Sequence, residues 1–432
     1  MLTRPLLIFA DWLHKRGGLR AGGKRYGVRF SWVGDGSSAV QVTNATARTM
    51  RNARARFAFS GYSSGLTWFA AQQSAADGLL MLSAGSAATT VFAQNNLTFG
   101  LYPPASMYTA SGLEAIAAAA RALDARADAR AAHSLSLLPC FGGAGCLASL
   151  RAGFVQVDNL FTREQCAASP AWARRHGIAS VSLPPVTLKV VPSVEEATTL
   201  LQQLRSAGAT VLVGCTYHAA AVVIIAALER MNWSPYAVLL SETIDKASFI
   251  SRVAAGWWQG EYVLGPTQWT SSLPTTGTFS RLSSSEFADM FRARFDGAEV
   301  SYNGAAQFAA ACALGAAIEA ADSVETAAVR AQLERLTLDE FYGRIAFGAE
   351  HQISSAGLLV AQHPPGELLK VVHSPTGLPT TGELGHSRYK WVRKIGRLRG
   401  SRTRGCANAA PAAAMPPPTE ARVQRGLLWP YG

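Results

Sequence analysis

The fold is decided by the stretch Phe59-Ser60-Gly61-Tyr62-Ser63-Ser64-Gly65-Leu66-Thr67. The apolar run of residues 55–59 predicts a buried strand, and a helix is predicted to begin near Leu66, after the turn of glycine and serine. A second apolar run, residues 79–82, ends in the similar turn Ser83-Ala84-Gly85-Ser86. The pattern therefore predicts two neighbouring strands of an α/β sheet that both end in small, hydroxyl-bearing turns at helix N-termini.

These two turns are suited to binding an anion. Backbone N–H groups at the start of a helix, together with the helix dipole, place partial positive charge there. Ligands of open α/β sheets lie beyond the carboxyl ends of the strands. We therefore expect the turns to contact a ligand carboxylate. The alternative interpretation is that glycine and serine are present only because they form turns.

Composition and charge limit the class of protein. The chain has 432 residues, of which 49% are hydrophobic and 16% are charged, so it is globular rather than disordered. Predicted strands alternate with helices, and the alternation starts again after about residue 150, which predicts two lobes with parallel sheets. The net charge of +12 is concentrated after residue 386, where ten lysines and arginines accompany one acid. Because the rest is nearly neutral, the net charge says little about the partner. The basic tail has the charge to touch nucleic acid or an acidic membrane surface, but a solvated tail is favoured, so we expect no nucleic-acid partner.

Several local predictions follow from shorter patterns. Residues 26–33 alternate and predict a strand, residues 139–153 predict an inserted loop, and residues 340–347 predict one strand. Ser193 and Glu196 have the spacing of a capping box. The Ala-rich segment 304–321 predicts a helix buried on all sides.

The cysteines and the apolar segments give further expectations. No cysteine spacing matches a zinc site, so we expect neither metal nor cofactor. Cys140 and Cys146 bracket a glycine-rich loop and are candidates for a disulfide in an oxidising compartment, whereas Cys215 and Cys312 are expected to be buried thiols. No run reaches about 18 apolar residues, so no membrane span is predicted. The apolar start of the chain does not match a signal peptide because Asp11 interrupts it.

The ordered set of motifs resembles the type I periplasmic binding proteins, specifically their leucine-isoleucine-valine-binding branch. The segments that carry the resemblance are Gly17-Gly18-Leu19, Gly22-Gly23-Lys24-Arg25-Tyr26, Gly61-Tyr62-Ser63-Ser64-Gly65-Leu66-Thr67, Ser83-Ala84-Gly85-Ser86, Phe99-Gly100, Pro103-Pro104-Ala105-Ser106 and Phe341-Tyr342-Gly343-Arg344-Ile345-Ala346-Phe347. Together they cover roughly residues 5–375 in the order of the family.

The resemblance implies an α/β fold of two Rossmann-like lobes that are joined by three crossings and close on a ligand. The first lobe would comprise residues 1–130 and the second residues 150–255, each with part of 255–375, and a basic tail would follow at 376–432. The opening strand of the family is missing from this sequence, and we expect unpaired sheet edges beside the binding turns as a result. An extracellular or periplasmic location, or the ectodomain of a membrane receptor, is implied, with an incomplete N-terminus and a transporter or receptor module as partner.

The resemblance also implies the ligand contacts. Hydroxyls and amides of the first lobe would hold a carboxylate, while aromatics and an acid of the second lobe would meet the rest of an amino acid or amide. The matching residues are Ser63, Ser64, Gly85, Ser86, Phe161, Tyr217 and Glu242. Two alternatives stay open: Tyr217 as a cover over the core, and Glu242 as a helix-capping acid.

Two other classes of function are weighed against ligand binding. An enzyme on a doubly wound fold is the first, but the sequence has no GxGxxG, P-loop, GxSxG or metal motif. Cys215 and His218 have the types of a nucleophile and a base, yet no third orienting group is visible, so a buried thiol beside a turn histidine is favoured. The second class is a degenerate fragment that binds no ligand.

Overall fold

The structure of the chain is a computed structural model. It describes residues 2–32, 34, 36–44, 55–129, 145–254, 260–354, 357–364, 369–375, 378, 380, 381 and 384.

The first part of the chain supplies a small parallel sheet and its flanking helices. In chain order its elements are α1 (Thr3–Arg16), β1 (Leu19–Ala21), β2 (Lys24–Tyr26), β3 (Phe57–Phe59), α2 (Ser64–Ala76), β4 (Leu80–Ser83), α3 (Thr89–Ala93), β5 (Thr98–Gly100), a 3-10 turn (Ala105–Met107) and α4 (Ala110–Ala129). The strands β3, β4 and β5 are parallel neighbours in that order. All four residues of β4 are buried, as the continuous apolar run requires of a strand that is covered on both faces.

The second part of the chain supplies a larger sheet. Its elements are α5 (Cys146–Ser149), β6 (Arg151–Val157), α6 (Leu160–Arg175), β7 (Ala179–Ser180), β8 (Val186–Leu188), α7 (Val194–Ser206), β9 (Val211–Cys215), α8 (His218–Arg230), β10 (Ala237–Leu240), α9 (Ala247–Ala254), β11 (Leu264–Thr267), α10 (Ser284–Arg294), α11 (Tyr302–Ala321), α12 (Thr326–Leu333), β12 (Thr337–Glu340), β13 (Gly343–Ala346), β14 (Leu359–Gln362) and β15 (Lys370–His373). Eight of these strands form one sheet in the order β15-β14-β11-β10-β9-β6-β7, with β8 also on β6.

The larger sheet is parallel from β6 to β11 and antiparallel at β14 and β15. Helices lie between successive parallel strands, which is the α/β class that the alternation predicts. The predicted α/β fold is therefore confirmed. The boundaries of the two lobes, and the basic tail, stay predictions.

The helix α11 forms the centre of the core beside the small sheet. Sixteen of its twenty residues are buried, because small and apolar residues of the helix, mostly alanine, occupy every face of it. Among the described residues it is the one helix long and apolar enough to cross a membrane, but 78% of that apolar window is buried inside the protein. The prediction of a helix buried on all sides is thus confirmed.

Three local predictions are wrong in part. Residues 26–33 do not form a strand: β2 ends at Tyr26 in a hairpin with β1, and residues 27–32 pair with no strand of the described chain. Residues 340–347 do not form one strand: β12 ends at Glu340, the chain reverses direction at residues 341–342, and β13 returns antiparallel to β12. The predicted loop 139–153 ends earlier than expected, since residues 146–149 are helical and β6 begins at Arg151.

The predicted capping box forms only in half. The hydroxyl of Ser193 accepts a hydrogen bond from the Glu196 N–H at 3.1 Å, so α7 begins where the sequence predicts. The Glu196 carboxylate, however, accepts from the Lys189 N–H at 2.8 Å instead of returning to Ser193. The preceding strand β8 brings this competing donor into reach.

Cys215 and Cys312 are buried free thiols, as predicted. Cys146 is buried too, but Cys140 lies outside the described residues, so the disulfide between them stays a prediction.

Candidate ligand-binding site

The two serine turns at the ends of β3 and β4 are locked together through their backbones. The N–H of Ser63 donates to the carbonyl oxygen of Gly85 at 3.0 Å. A Cβ atom on Gly85 would lie 2.2 Å from the carbonyl oxygen of Gly61, a distance that no side chain tolerates. Glycine at this position is therefore required by the close approach of the two turns.

The three serine hydroxyls of these turns have different environments. Ser64 and Ser86 are both buried, and the Ser86 hydroxyl donates to the Ser64 Oγ at 3.2 Å. The same Ser64 Oγ accepts from the N–H groups of Ala87 and Ala88, each at 3.2 Å. Ser63 is partly exposed and caps α2 by accepting from the Leu66 N–H at 3.3 Å. Its backbone has φ of 88°, a conformation that residues other than glycine seldom adopt outside functional sites.

An aromatic wall connects the serine turns to the larger sheet. Tyr217 lies between Phe161 and Tyr62, with ring centroids 5.4 Å and 6.0 Å away. The Tyr217 hydroxyl also faces the backbone N–H of Ser64. Burial raises the pKa of Tyr217, and the charge of Glu242 raises it further. This hydroxyl therefore stays protonated throughout the physiological range. The structure thus brings Ser64, Phe161 and Tyr217 together.

Glu242 lies at the opposite end of this wall, directly after β10. It is 3% exposed, and its backbone has a left-handed φ of 53°. The Tyr62 hydroxyl donates to Glu242 Oε2 at 2.9 Å, and the Tyr302 hydroxyl donates to Oε1. The contact from Tyr62 joins the turn after β3 to the strand end after β10. Glu242 caps no helix in the described chain, so the capping alternative is not supported.

A lysine and a second acid complete this end of the site. Lys246 Nζ lies 3.6 Å from Glu242 and 3.0 Å from Asp245 Oδ1, donates to Asn303 Oδ1 at 3.0 Å, and lies 4.8 Å from the centre of the Tyr302 ring. Burial lowers the pKa of Lys246, but the two carboxylates outweigh it and the pKa is raised. Burial raises the pKa of Glu242, while Lys246 opposes the shift.

The charges at this acidic end do not balance. When both acids are ionised, Glu242 and Asp245 carry two negative charges against the single positive charge of Lys246. The Oδ2 atom of Asp245 is buried and has no hydrogen-bond partner among the described residues. A second cation would therefore be favourable here, because a buried carboxylate oxygen without a partner is costly.

The candidate nucleophile Cys215 and the candidate base His218 do not contact each other among the described residues. Cys215 Sγ contacts the hydroxyl of Ser169, whereas His218 Nε2 lies 2.6 Å from Ser248 Oγ, so the thiol and the imidazole have separate partners. The described residues contain no cluster of three or more histidines, cysteines and acids that could hold a metal.

Sequence reasoning missed four members of the site: Tyr62, Asp245, Lys246 and Tyr302. Tyr62 lies in the turn after β3, next to Ser63, and Lys246 follows Glu242 by four residues. Their nearness in sequence to predicted site residues indicates both. Tyr302 reaches Glu242 from 60 residues away, and no pattern in the sequence indicates that contact.

Residues 9–364 match a protein-family model described as "Periplasmic binding protein". No curated protein sequence matches the chain significantly.

Solved structures with the same fold cover most of the chain. The leucine-, isoleucine-, valine-, threonine- and alanine-binding protein from Brucella ovis, in a closed conformation, has a TM-score of 0.67 at 13% identity, over 88% of this chain and 89% of that protein. The branched-chain amino acid transporter substrate-binding protein from Streptococcus pneumoniae, in complex with isoleucine, has a TM-score of 0.65 at 12% identity, over 86% and 94%. A solute-binding protein from R. palustris in complex with benzoate has a TM-score of 0.62 at 14% identity, over 88% and 92%.

Proposed function

The chain belongs to the periplasmic binding protein family, and from this premise we propose that it binds a small amino acid-like or amide ligand between its two sheets without transforming it. One observation carries the proposal: an unbroken series of contacts leads from Ser86 through Ser64, Tyr217 and Tyr62 to Glu242. Polar groups at a helix N-terminus suit a carboxylate, and a pair of buried acids suits an ammonium group.

The aromatic residues between the serine turns and the acidic end indicate the class of ligand. Phe161, Tyr62 and Tyr217 present aromatic surface, which favours an apolar side chain over a charged one. We therefore propose a branched-chain amino acid such as leucine as the first ligand to test. The ligands that the similar Brucella and Streptococcus proteins are named for support this choice.

We also propose that the protein works outside the cytoplasmic membrane and passes its ligand, or the signal of ligand binding, to a membrane transporter or receptor module. The support is the family itself and the fact that several proteins of the same fold are substrate-binding proteins of transporters.

Isothermal titration of the full chain with three ligands tests the binding proposal. Leucine carries both charges, leucinamide lacks the carboxylate, and isocaproate is leucine without the ammonium group. We expect leucine to bind and each of the other two to bind at least about tenfold more weakly, since a charge-assisted hydrogen bond contributes about 1.5–3 kcal/mol.

If isocaproate binds as tightly as leucine, the acidic end does not recognise the ammonium group. If leucinamide binds as tightly as leucine, the serine turns do not bind the carboxylate. Absence of binding for all three, with a folded protein, would reject an amino acid-like ligand. Turnover of a bound compound, followed by NMR, would overturn the non-catalytic part of the proposal.

A further inference from the structure

One buried hydroxyl lies where β9 and β10 end. It belongs to Ser241, which follows β10, precedes Glu242 and is 1% exposed. The last residues that the two strands pair are Gly214 and Leu240. The Ser241 N–H donates to the carbonyl oxygen of Gly214 at 3.1 Å, so the connection between the strands continues as far as the residue before Glu242.

The Ser241 side chain also holds the segment that leads from β9 to Tyr217. Its hydroxyl oxygen accepts from the Thr216 N–H at 2.9 Å, and the hydroxyl donates to the Thr216 carbonyl oxygen at 2.8 Å. The side chain thus takes over the pairing where the two strand backbones stop. Because Thr216 directly precedes Tyr217, this contact fixes the backbone before Tyr217 relative to the backbone before Glu242.

A third segment meets the same hydroxyl. Gln165 lies on α6, one helical turn after Phe161, and is fully buried. Its Oε1 atom lies 3.1 Å from the Ser241 hydroxyl oxygen. One hydroxyl therefore contacts the three segments of the larger sheet and its helices that carry Phe161, Tyr217 and Glu242.

The backbone conformation of Glu242 needs support of this kind. Its φ of 53° is left-handed, which a residue other than glycine adopts only where its surroundings impose it. On the far side of Glu242, the Thr243 hydroxyl donates to the Ser241 carbonyl oxygen at 2.9 Å. Both neighbours of Glu242 are thus held by hydrogen bonds to side-chain hydroxyls.

Packing of the core does not by itself explain these polar residues. Gln165 and Thr216 are fully buried, yet the Gln165 Nε2 atom and the Thr216 hydroxyl have no hydrogen-bond partner among the described residues. Each unpaired buried group is unfavourable for folding, and apolar residues of similar size would avoid that cost. Their presence beside Ser241 indicates a role other than the stability of the core.

We propose that Ser241 is a positioning residue, which sets where Glu242 lies relative to Tyr217 and Phe161 and so selects ligands that carry an ammonium group. This inference rests on the proposed function, because it takes Glu242 as the contact of the ammonium. Ser241 acts without touching the ligand, since Thr216 and Gln165 occupy its hydroxyl.

Titration calorimetry of the full chain with leucine and isocaproate tests this role. We expect Ser241→Ala to weaken leucine binding about tenfold and to leave isocaproate binding within about twofold, because isocaproate has no ammonium group. The matched control Ser74→Ala removes a buried hydroxyl at the other end of α2 from Ser64, where it contacts Met81, and should keep the ratio of the two affinities. Equal losses for both ligands in Ser241→Ala, or an unchanged ratio, would overturn the proposal.

A second measurement needs no ligand. The pKa of Glu242 is followed by NMR of protein with ¹³C-labelled glutamate carboxyls, and Glu242→Gln identifies its signal. Burial raises this pKa, so a carboxylate released toward water in Ser241→Ala should titrate closer to the ordinary value of about 4.3, whereas Ser74→Ala should leave it unchanged. An unchanged pKa in Ser241→Ala would show that Ser241 does not position Glu242.

The two measurements separate this inference from the proposed function. If the unchanged protein binds leucine and isocaproate alike, recognition of the ammonium fails, while the pKa of Glu242 still decides the role of Ser241. Should Ser241→Ala fail to fold, Ser241→Cys replaces it, because a thiol forms weaker hydrogen bonds than a hydroxyl. A smaller loss in the same direction is then expected, and a ratio and a pKa both equal to those of the unchanged protein would overturn the proposal.

Discussion

At the scale of single residues, the proposed recognition of an ammonium group depends most on Glu242. It is buried, its two oxygens accept from Tyr62 and Tyr302, and Lys246 lies 3.6 Å away. A carboxylate already in contact with a cation gains less from a second one than an isolated carboxylate would. In the proposed complex the Oδ2 of Asp245, which has no hydrogen-bond partner among the described residues, would compensate for this as a further acceptor for the ammonium group.

We predict that Glu242→Gln weakens leucine binding about 10- to 100-fold and leaves isocaproate binding within about twofold of the unchanged protein. The substitution keeps the shape of the side chain but removes the negative charge that attracts the ammonium group. Titration calorimetry of both ligands on both proteins measures the difference. Parallel losses for the two ligands would mean that Glu242 maintains the shape of the site and does not contact the ammonium.

The same residue predicts a pH dependence of stability. Burial raises the pKa of Glu242, so the protonated form favours the folded state. This contribution is complete below the ordinary pKa of glutamic acid, about 4.3, and is lost as the pH rises through the higher pKa of the folded protein. Relative to Glu242→Gln, the unchanged protein should therefore lose stability as the pH rises above about 4 and through the raised pKa of Glu242.

Urea denaturation of both proteins across this pH range tests the prediction. The control Glu350→Gln changes an exposed carboxylate and should leave the pH profile unchanged. A constant difference between Glu242→Gln and the unchanged protein at all pH values would contradict a raised pKa.

At the scale of secondary-structure elements, the contact between the turns after β3 and β4 fixes the geometry of the serine hydroxyls. Ser63 donates its N–H to Gly85, and Ser64 accepts from two N–H groups at the start of α3. Each turn therefore supports the other, and the site depends on the backbone of two separate segments.

We predict that Gly85→Ala lowers the free energy of unfolding by about 1–3 kcal/mol and weakens leucine binding, because its Cβ would overlap the Gly61 carbonyl. The matched control is Gly65→Ala in the first turn of α2, where a Cβ meets nothing within 4 Å. Gly65→Ala should be neutral or stabilise the protein by up to about 1 kcal/mol. Chemical denaturation distinguishes the two, and equal effects would refute the close approach of the turns.

The elements also show what local patterns predict. The strand β4 is predicted from a continuous apolar run, and all four of its residues are buried. The predicted buried strand at residues 55–59 is wrong in part, because β3 covers Phe57–Phe59 and the side chains of Phe57 and Phe59 are only half-buried. Residues 26–33 alternate as a strand should, yet a strand also needs a neighbour, and local sequence does not supply one. The half-formed capping box at Ser193 has a similar cause, because the Lys189 N–H competes for Glu196.

At the scale of the whole molecule, contacts between distant segments join the small sheet to the large one. Glu164 on α6 accepts from the N–H of Thr89 at 2.9 Å and from its hydroxyl at 2.7 Å, and so caps α3 from the other side of the site. Burial raises the pKa of Glu164, and the hydrogen bonds from Thr89 oppose that shift. This contact holds the Ser86 turn against the helix that carries Phe161.

We predict that Glu164→Ala lowers the free energy of unfolding by about 0.5–2 kcal/mol, the usual effect of losing a helix N-cap. It should also weaken leucine binding, because the two sides of the site are then held less firmly. Glu350→Ala serves as the control, since it removes an exposed glutamate of the same size. A loss of stability without any loss of affinity would show that this contact is not coupled to the site.

The sequence predicts the fold and the strand ends of the site better than it predicts their contacts. The strand pattern predicts the turns of Ser64 and Ser86, and the family resemblance implies Phe161, Tyr217 and Glu242. The structure connects these five residues through a series of contacts. The hydrogen-bond donors of Glu242 cannot be predicted in this way, because Tyr62 and Tyr302 are 180 and 60 residues away from it in the sequence. Contacts of that kind depend on how the two sheets are placed, which no local pattern encodes.

Tyr62 lies in the turn that also carries Ser63 and Ser64, and its hydroxyl donates to Glu242, which follows β10. An ammonium group bound at Glu242 and a carboxylate bound at the serine turn would therefore act on the two ends of one hydrogen-bonded connection. By thermodynamic reciprocity, each of these two groups must change the affinity for the other by the same factor.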